Sequence, residues 1–300
     1  MSRKLLLALI VVLLITNIAT LLFWDNEQSI VRNNDEEIEI NNDGSVASID
    51  GEAISYEEWM DSLRNSYGEN QLEAMIDQAV VNQLAEAKKI DVHEKVIERE
   101  VALLTSMQGV TGEQEFEEKE EEWREDIRYR YQLQQLLTED TSIPEEEVES
   151  YYNQYGNEYD FASSMQLSHI VVQNFETAEK VIGELEEGAS FDLLAQEYSI
   201  DEESASDGGY LGFIRTNSQF FPNGYEEVAA DMEEYSYSEP FEADTGVAII
   251  YLHRKLQSID FTYDEIKPYV ESELALNEMD QSLQADPLWE ELDIEWIYGE

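Results

Sequence analysis

The sequence contains no cysteine, and this absence removes several kinds of site at once. Disulfide bonds, zinc–thiolate centres, cysteine nucleophiles and lipid attachment through an N-terminal cysteine are all excluded. The absence of cysteine does not identify the redox compartment, because a chain without thiols folds in either an oxidising or a reducing environment.

Basic residues are also scarce: 17 Lys and Arg stand against 69 Asp and Glu, for a formal net charge of −52. Nucleic-acid binding is excluded because it needs clustered cations that displace counterions from phosphates. Anionic lipid headgroups are repelled for the same reason. The simplest interpretation of the acidity is a solvated surface that resists aggregation. An alkaline or salty exterior is compatible with it.

One long apolar run is present, from Leu5 to Trp24. At about 1.5 Å of helix rise per residue it is long enough to cross a hydrocarbon core of about 30 Å. Arg3 and Lys4 precede it and acidic residues follow it. The positive-inside rule therefore predicts that residues 1–24 are a cytoplasmic stub and transmembrane anchor, with the rest of the chain outside the cell membrane. A cleaved signal peptide is the alternative, although Asn17-Ile18-Ala19 is a poor cleavage site.

The next two segments differ in composition. Residues 25–45 are rich in Asn, Asp and Glu, which predicts a flexible acidic tether. A hairpin turning at Asp50-Gly51 is then predicted, followed by a helix with Ser55 and Glu58 in a capping-box pattern. Apolar residues at helical spacing continue from there, so residues 46–158 are predicted to form a helical domain.

The pattern changes after residue 160. Leu167–Val172 and Gly246–Leu252 are apolar runs typical of buried strands, with helical patterns and a glycine-rich turn at Gly208-Gly209 between them. Residues 160–257 are therefore predicted to be a mixed helix and strand domain. The chain then returns to helix and ends in an aromatic tail, and packing of residues 258–300 on the helical domain would bury that tail.

Residues 164–255 resemble the parvulin-type peptidyl-prolyl isomerases. Several motifs of that family occur in this segment in the family's order and with nearly its spacing. They are Ser168-His169-Ile170-Val171-Val172, Tyr198-Ser199-Ile200-Asp201, Gly208-Gly209-Tyr210-Leu211-Gly212-Phe213, Ser238-Glu239-Pro240 and Gly246-Val247-Ala248-Ile249-Ile250. The flanking helices and the anchor resemble the PrsA-like foldases of Gram-positive bacteria, especially a YacD-like branch with a membrane anchor. The resemblance implies an α+β fold in which an antiparallel sheet with surrounding helices is inserted in an all-helical, chaperone-like domain.

The resemblance also implies a reaction. Parvulins isomerise the bond before proline, whose barrier of about 18–20 kcal/mol reflects lost amide resonance. No cofactor or metal is needed. The expected partners are unfolded or folding exported polypeptides with Xaa-Pro bonds, and a homo-oligomer is compatible with the sequence. By the same resemblance, His169 and Asp201 are the catalytic candidates, while Leu211, Phe220 and Tyr225 form the socket for the proline ring.

The polar part of this site departs from the family pattern. Ala248 occupies the position of a second histidine, and Ala243 occupies that of a threonine. His253 lies five residues beyond Ala248, an odd offset that directs it to the other face of the strand. Tyr210 replaces the usual aspartate. Isomerase activity is therefore the first hypothesis and a non-catalytic holdase is the alternative. A scaffold role is a third, and ordinary core packing of the socket residues and of His169 remains open.

Overall fold

The computed structural model describes residues 29–33, 36–40, 44–216, 218–279 and 282–299. The chain divides into two compact units, residues 1–76 with 295–300 and residues 77–294. No helix among the described residues is both long and apolar enough to cross a membrane. The predicted anchor lies outside the described residues.

The first unit contains two antiparallel strand pairs, β1 (Ser29–Asn33) with β2 (Glu36–Ile40) and β3 (Ser45–Ile49) with β4 (Glu52–Ser55). The first pair lies in the segment predicted as a tether. That prediction rested on the many Asn, Asp and Glu residues and gave no weight to the few strand-forming Ile and Val residues among them. The second pair is the predicted hairpin. Its turn residues Asp50 and Gly51 have φ values of 51° and 92°, as a tight hairpin turn requires.

Helix α1 (Tyr56–Lys88) follows directly and continues into the second unit. The Ser55 hydroxyl oxygen accepts a hydrogen bond from the Glu58 backbone N–H at 3.1 Å, which confirms the predicted cap.

The remaining elements belong to the second unit. They are α2 (Glu94–Ser106), α3 (Glu113–Thr138), α4 (Glu145–Tyr155), a 3-10 turn (Gly156–Glu158), β5 (Ser164–Val172), α5 (Phe175–Glu186), α6 (Phe191–Tyr198), α7 (Glu202–Ala205), β6 (Tyr210–Arg215), α8 (Tyr225–Ala230), β7 (Ser236–Tyr237), β8 (Phe241–Ala243), β9 (Gly246–Leu256), α9 (Tyr263–Met279) and a 3-10 turn (Asp286–Glu291).

One apolar core is formed by helices from both sides of the sheet segment. Ile97 of α2, Ile127 of α3 and Val148 of α4 pack in the same cluster as Val270 of α9. All four side chains are at most 5 % exposed. Because α9 follows the sheet in sequence while α2, α3 and α4 precede it, the chain leaves this core, forms the sheet and returns.

The sheet is antiparallel, with the strand order β6–β5–β9–β7 and with β8 also paired to β9. All nine residues of β5 are buried, as expected of a central strand. Ile170 and Val172 pack in the same cluster as residues of α5 and α6, whereas Leu167 and Val171 pack with residues of α8. The predicted mixed helix and strand fold with an antiparallel sheet is confirmed.

Candidate active site

His169 lies in the middle of the sheet. Its Cα is paired with that of Ile250 on β9, and its side chain is 9 % exposed. The His169 backbone N–H donates to the Gly209 carbonyl at 2.8 Å. Gly209 has φ 77°, and a Cβ there would lie 2.0 Å from the His169 carbonyl oxygen. Only glycine allows this approach, so the Gly208-Gly209 turn holds the loop after α7 against His169.

Both ring nitrogens of His169 have hydrogen-bonding partners. Nδ1 lies 2.8 Å from the Tyr225 hydroxyl, and Nε2 lies 2.7 Å from Oδ2 of Asp201 and 2.9 Å from Oγ of Ser204. An ionised carboxylate only accepts hydrogen bonds, so Asp201 places a proton on Nε2. In the neutral ring, Nδ1 then accepts from Tyr225. The result is a polar chain that runs from Tyr225 through His169 to Asp201.

Asp201 occupies the exposed end of this chain, with 31 % of its side chain in contact with solvent. Burial alone raises the pKa of the carboxyl group. Hydrogen bonds from Ser204, which donates at 2.5 Å, and from His169 outweigh burial and hold the pKa below its ordinary value. Asp201 is therefore charged at neutral pH.

Tyr225 occupies the buried end, at the first residue of α8 and 2 % exposed. Its ring stacks edge-on against His169 at 5.8 Å and against Phe241 at 5.3 Å between centroids. Burial, followed by the negative charges of Asp201 and Asp244, raises the pKa of its hydroxyl group. The hydroxyl is consequently protonated and available as a donor to His169.

The predicted socket residues are placed unequally. Tyr225 belongs to a buried apolar cluster against which Leu211, Phe221 and Phe241 pack. Phe220, by contrast, is 78 % exposed. The sequence had not assigned a role to Phe221. Phe220 and Phe221 are adjacent in the turn before Tyr225, so sequence alone does not distinguish the one that packs from the one that is exposed.

The alanine positions line the same face as His169. Ala248 is fully buried and its Cα is paired with those of Val171 and Phe241, while Ala243 is paired with Gly246. Neither alanine offers a polar atom to His169, but Tyr225 does. The sequence also missed Ser204, which binds both His169 and Asp201; its position three residues after Asp201, in the short helix α7, was the available signal.

His253 lies on the other face of β9, as predicted. Its Nε2 is 2.8 Å from the Ser168 hydroxyl, and its ring packs edge-on against Tyr210 at 6.0 Å. The Tyr210 hydroxyl accepts from the Gln166 amide at 2.8 Å. Burial and the adjacent Arg254 charge lower the pKa of His253 to about 4, so its ring is neutral at pH 7. This polar cluster is separate from the His169 chain.

Comparisons with known proteins identify the class of this domain. Residues 173–254 match the family model of the PPIC-type rotamase domain, that is, a parvulin-type peptidyl-prolyl isomerase domain. The putative peptidyl-prolyl cis-trans isomerase YacD of Bacillus subtilis is 37 % identical over 257 residues, which cover 85 % of this chain and 86 % of that protein. The foldase protein PrsA of Halalkalibacterium halodurans is 31 % identical over 242 residues, covering 77 % and 69 %.

A comparison was also made with solved structures. PrsA from Bacillus cereus is 21 % identical, with 86 % of this chain and 95 % of that chain covered and a TM-score of 0.34. On the strength of its sequence relatives, the chain belongs to the family of parvulin-type foldases that includes YacD and PrsA.

Proposed function

We propose that this protein is an extracytoplasmic foldase that catalyses cis/trans isomerisation of Xaa-Pro bonds in exported polypeptides. The observation that supports this most is the polar chain Tyr225–His169–Asp201, which lies beside an apolar cluster in a member of the parvulin family. Leu211, Phe220 and Tyr225 are the proposed contacts of the proline ring, and Phe221 and Phe241 are the side chains that support them.

The reaction needs no nucleophile, because no covalent bond is broken. The planar amide places negative charge on its carbonyl oxygen through resonance, and twisting the C–N bond removes part of that charge. A carboxylate near this oxygen therefore disfavours the planar amide more than the twisted one. Asp201 is the proposed source of this effect, since it is charged and faces solvent at the edge of the cleft.

His169 has a positioning role in this proposal. Its Nε2–H donates to Asp201 and its Nδ1 accepts from Tyr225, so the ring fixes the carboxylate at a set distance from the aromatic side chains. Ser204 provides a second hydrogen bond to the same oxygen. Fixed polar groups that do not reorganise during a reaction contribute more to the transition state than mobile ones.

The location of the protein is also part of the proposal. The apolar run at residues 5–24 anchors the chain in the cell membrane, with the chain beyond about residue 25 outside the cytoplasm. Protease added to cells stripped of their wall is then expected to degrade the chain beyond about residue 25. Recovery of a full-length, protected chain would contradict this orientation.

The isomerase function is tested by the refolding of a secreted protein that is limited by a proline bond. The full-length chain in detergent is expected to accelerate the slow, proline-limited phase. A holdase without isomerase activity would instead suppress aggregation and leave the rate of that phase unchanged. The two outcomes are read in the same experiment from light scattering and from the recovery of native signal.

A further inference from the structure

Two carboxylates from different parts of the fold act on the candidate active site. Asp201 precedes α7, and Asp244 lies in the turn between β8 and β9. Both charges act on the Tyr225 hydroxyl, since each raises its pKa after the larger effect of burial. Asp201 and Asp244 are therefore both close enough to influence the Tyr225 hydroxyl group electrostatically.

Asp244 is held in place by the loop that forms the socket. The Asn223 side-chain amide donates to both of its carboxylate oxygens, at 3.0 and 2.9 Å. The next residue, Gly224, approaches the Phe241 ring, and Phe241 in turn packs edge-on against Tyr225. Asp244 is thus joined to the socket through Asn223, although its own side chain is exposed.

No Lys or Arg among the described residues forms an ion pair with either carboxylate. The parvulin-like segment 164–256 has nineteen Asp and Glu but four Lys and Arg. Lys180 binds Tyr198 and Glu184, and Lys255 donates to the carbonyls of Ala230 and Met232.

The two remaining cations of the segment form no ion pair with either carboxylate in the described part of the chain. Arg254 is buried against the Phe116 ring of α3. Arg215 is exposed at the end of β6, where its Cα is paired with that of Ser164. The acidic groups Glu202, Glu203, Glu226 and Glu242 follow Asp201 or flank the socket loops. The described residues that flank the candidate site are therefore mainly acidic, and no Lys or Arg among them pairs with Asp201 or Asp244.

We infer that this cleft selects polypeptide segments in which Lys or Arg flanks the proline, and that Asp244 is a residue that determines this preference. The inference rests on the proposed isomerase function and names its substrate class. A basic residue next to the proline gains attraction from Asp201 and Asp244, whereas an acidic residue at the same place is repelled by both. Because Asp244 is exposed, the effect is modest and depends on salt.

Three peptides that differ only in the residue before proline test this: Lys-Pro, Leu-Pro and Glu-Pro. With the full-length chain in detergent at low salt, kcat/KM is expected to be about tenfold higher for Lys-Pro than for Glu-Pro, with Leu-Pro between them. At about 1 M salt, where charges beyond roughly 3 Å are screened, the ratio is expected to fall to about twofold or less. Equal values for the three peptides at low salt would overturn the inference.

Two variants with the same change in net charge separate a local effect from the general acidity of the protein. Asp244→Asn retains an oxygen that can accept from Asn223 and is expected to reduce the Lys-Pro to Glu-Pro ratio by about threefold. Glu179→Gln removes one exposed charge from α5, on the other face of the sheet, and is expected to leave the ratio unchanged. The same fall in both variants would overturn the role of Asp244.

Binding of the same peptides is measured in parallel by fluorescence anisotropy. If none of the peptides is isomerised, the proposed function fails. A lower dissociation constant for the Lys-Pro peptide than for the Glu-Pro peptide would still support the charge preference. Equal binding of the two peptides rejects the preference independently of catalysis.

Discussion

The Nδ1 atom of His169 lies 2.8 Å from the hydroxyl of Tyr225, and both side chains are buried on the same face of the sheet. Tyr225 thus has two roles in the fold, because its ring belongs to the apolar cluster while its hydroxyl satisfies the histidine. The sequence had suggested that His169 lost a partner where Ala248 replaces a histidine. The structure provides that partner from α8.

Replacing Tyr225 with Phe tests this relationship, because it removes the hydroxyl and keeps the ring. Nδ1 of His169 is then left buried without its partner, and we expect the free energy of unfolding to fall by about 1–3 kcal/mol. Urea denaturation of the full-length chain gives the value. Tyr237→Phe is the matched control, since Tyr237 is 37 % exposed, and it is expected to change stability by less than about 0.5 kcal/mol. Equal effects of the two substitutions would reject the buried hydrogen bond.

The neighbouring residues Phe220 and Phe221 are expected to respond differently to truncation. Phe221→Ala removes packing from the cluster beneath the socket and is expected to cost about 2 kcal/mol of stability, less than for a fully buried ring. Phe220→Ala changes an exposed ring, so its stability should stay within about 0.5 kcal/mol of wild type while its isomerase activity falls. Thermal unfolding and peptide isomerisation of both variants are compared; an inactive Phe221→Ala with an unaffected Phe220→Ala would exclude Phe220 from the socket.

His253 is expected to make the protein less stable in mild acid. Its pKa is about 4 in the folded chain and 6.5 in the absence of burial, so the unfolded state binds more protons between these values. The contribution of the neutral His253 ring to the free energy of unfolding is fully present above about pH 6.5 and is lost as the pH falls towards 4. After allowance for partial solvent exposure, the loss is on the order of 1–2 kcal/mol.

The measurement is the difference in unfolding free energy between pH 7 and pH 5 for wild type and for His253→Gln. The variant keeps an amide near Ser168 but does not titrate, so its pH dependence should be smaller by about 1 kcal/mol. Parallel curves for the two proteins would show that other groups cause the acid sensitivity.

The C-terminal 3-10 turn is expected to stabilise the second unit. Leu288 is 4 % exposed, the Trp289 indole N–H donates to Asp77 of α1 at 2.7 Å, and Glu291 pairs with Lys88 at 2.9 Å. A chain ending at Ala285 loses all three contacts. Burial of Leu288 alone corresponds to about 1.5–3 kcal/mol, so the melting temperature should fall by several degrees. Leu288→Ala is the milder test in the intact chain, and unchanged melting of both variants would contradict the packing of this turn.

Local features of the fold could be predicted from the sequence because neighbouring residues determine them. The Asp50-Gly51 turn and the Ser55 cap depend on a few adjacent residues, and β5 is recognisable as a continuous apolar run. The fold of the sheet segment was predicted from several motifs that occur in the order and spacing of the parvulin family. For the turn, the cap and β5, the signal lies within one short stretch of chain; for the sheet segment, it lies in the order and spacing of several such stretches.

Contacts between distant elements could not be predicted in this way. Tyr225 meets His169 across 56 residues of sequence, and Arg254 stacks on Phe116 of a preceding helix at 3.3 Å from its ring centroid. Such pairs depend on how the loop before α8 and the end of β9 are placed by the whole core. The same loop packs Phe221 against the cluster and leaves Phe220 78 % exposed, and spacing alone does not show this.

The most direct test of the central claim is the rate of isomerisation of a short Xaa-Pro peptide by the full-length chain and by Asp201→Asn. The variant keeps the size of the side chain and one oxygen that can accept from Ser204, but it removes the charge at the exposed end of the polar chain. We expect the wild-type protein to accelerate isomerisation clearly above the buffer rate and the variant to be about tenfold to a hundredfold slower. A wild-type rate equal to that of buffer, or equal rates for the two proteins with the fold intact by circular dichroism, would contradict the assignment of this cleft as the isomerase site.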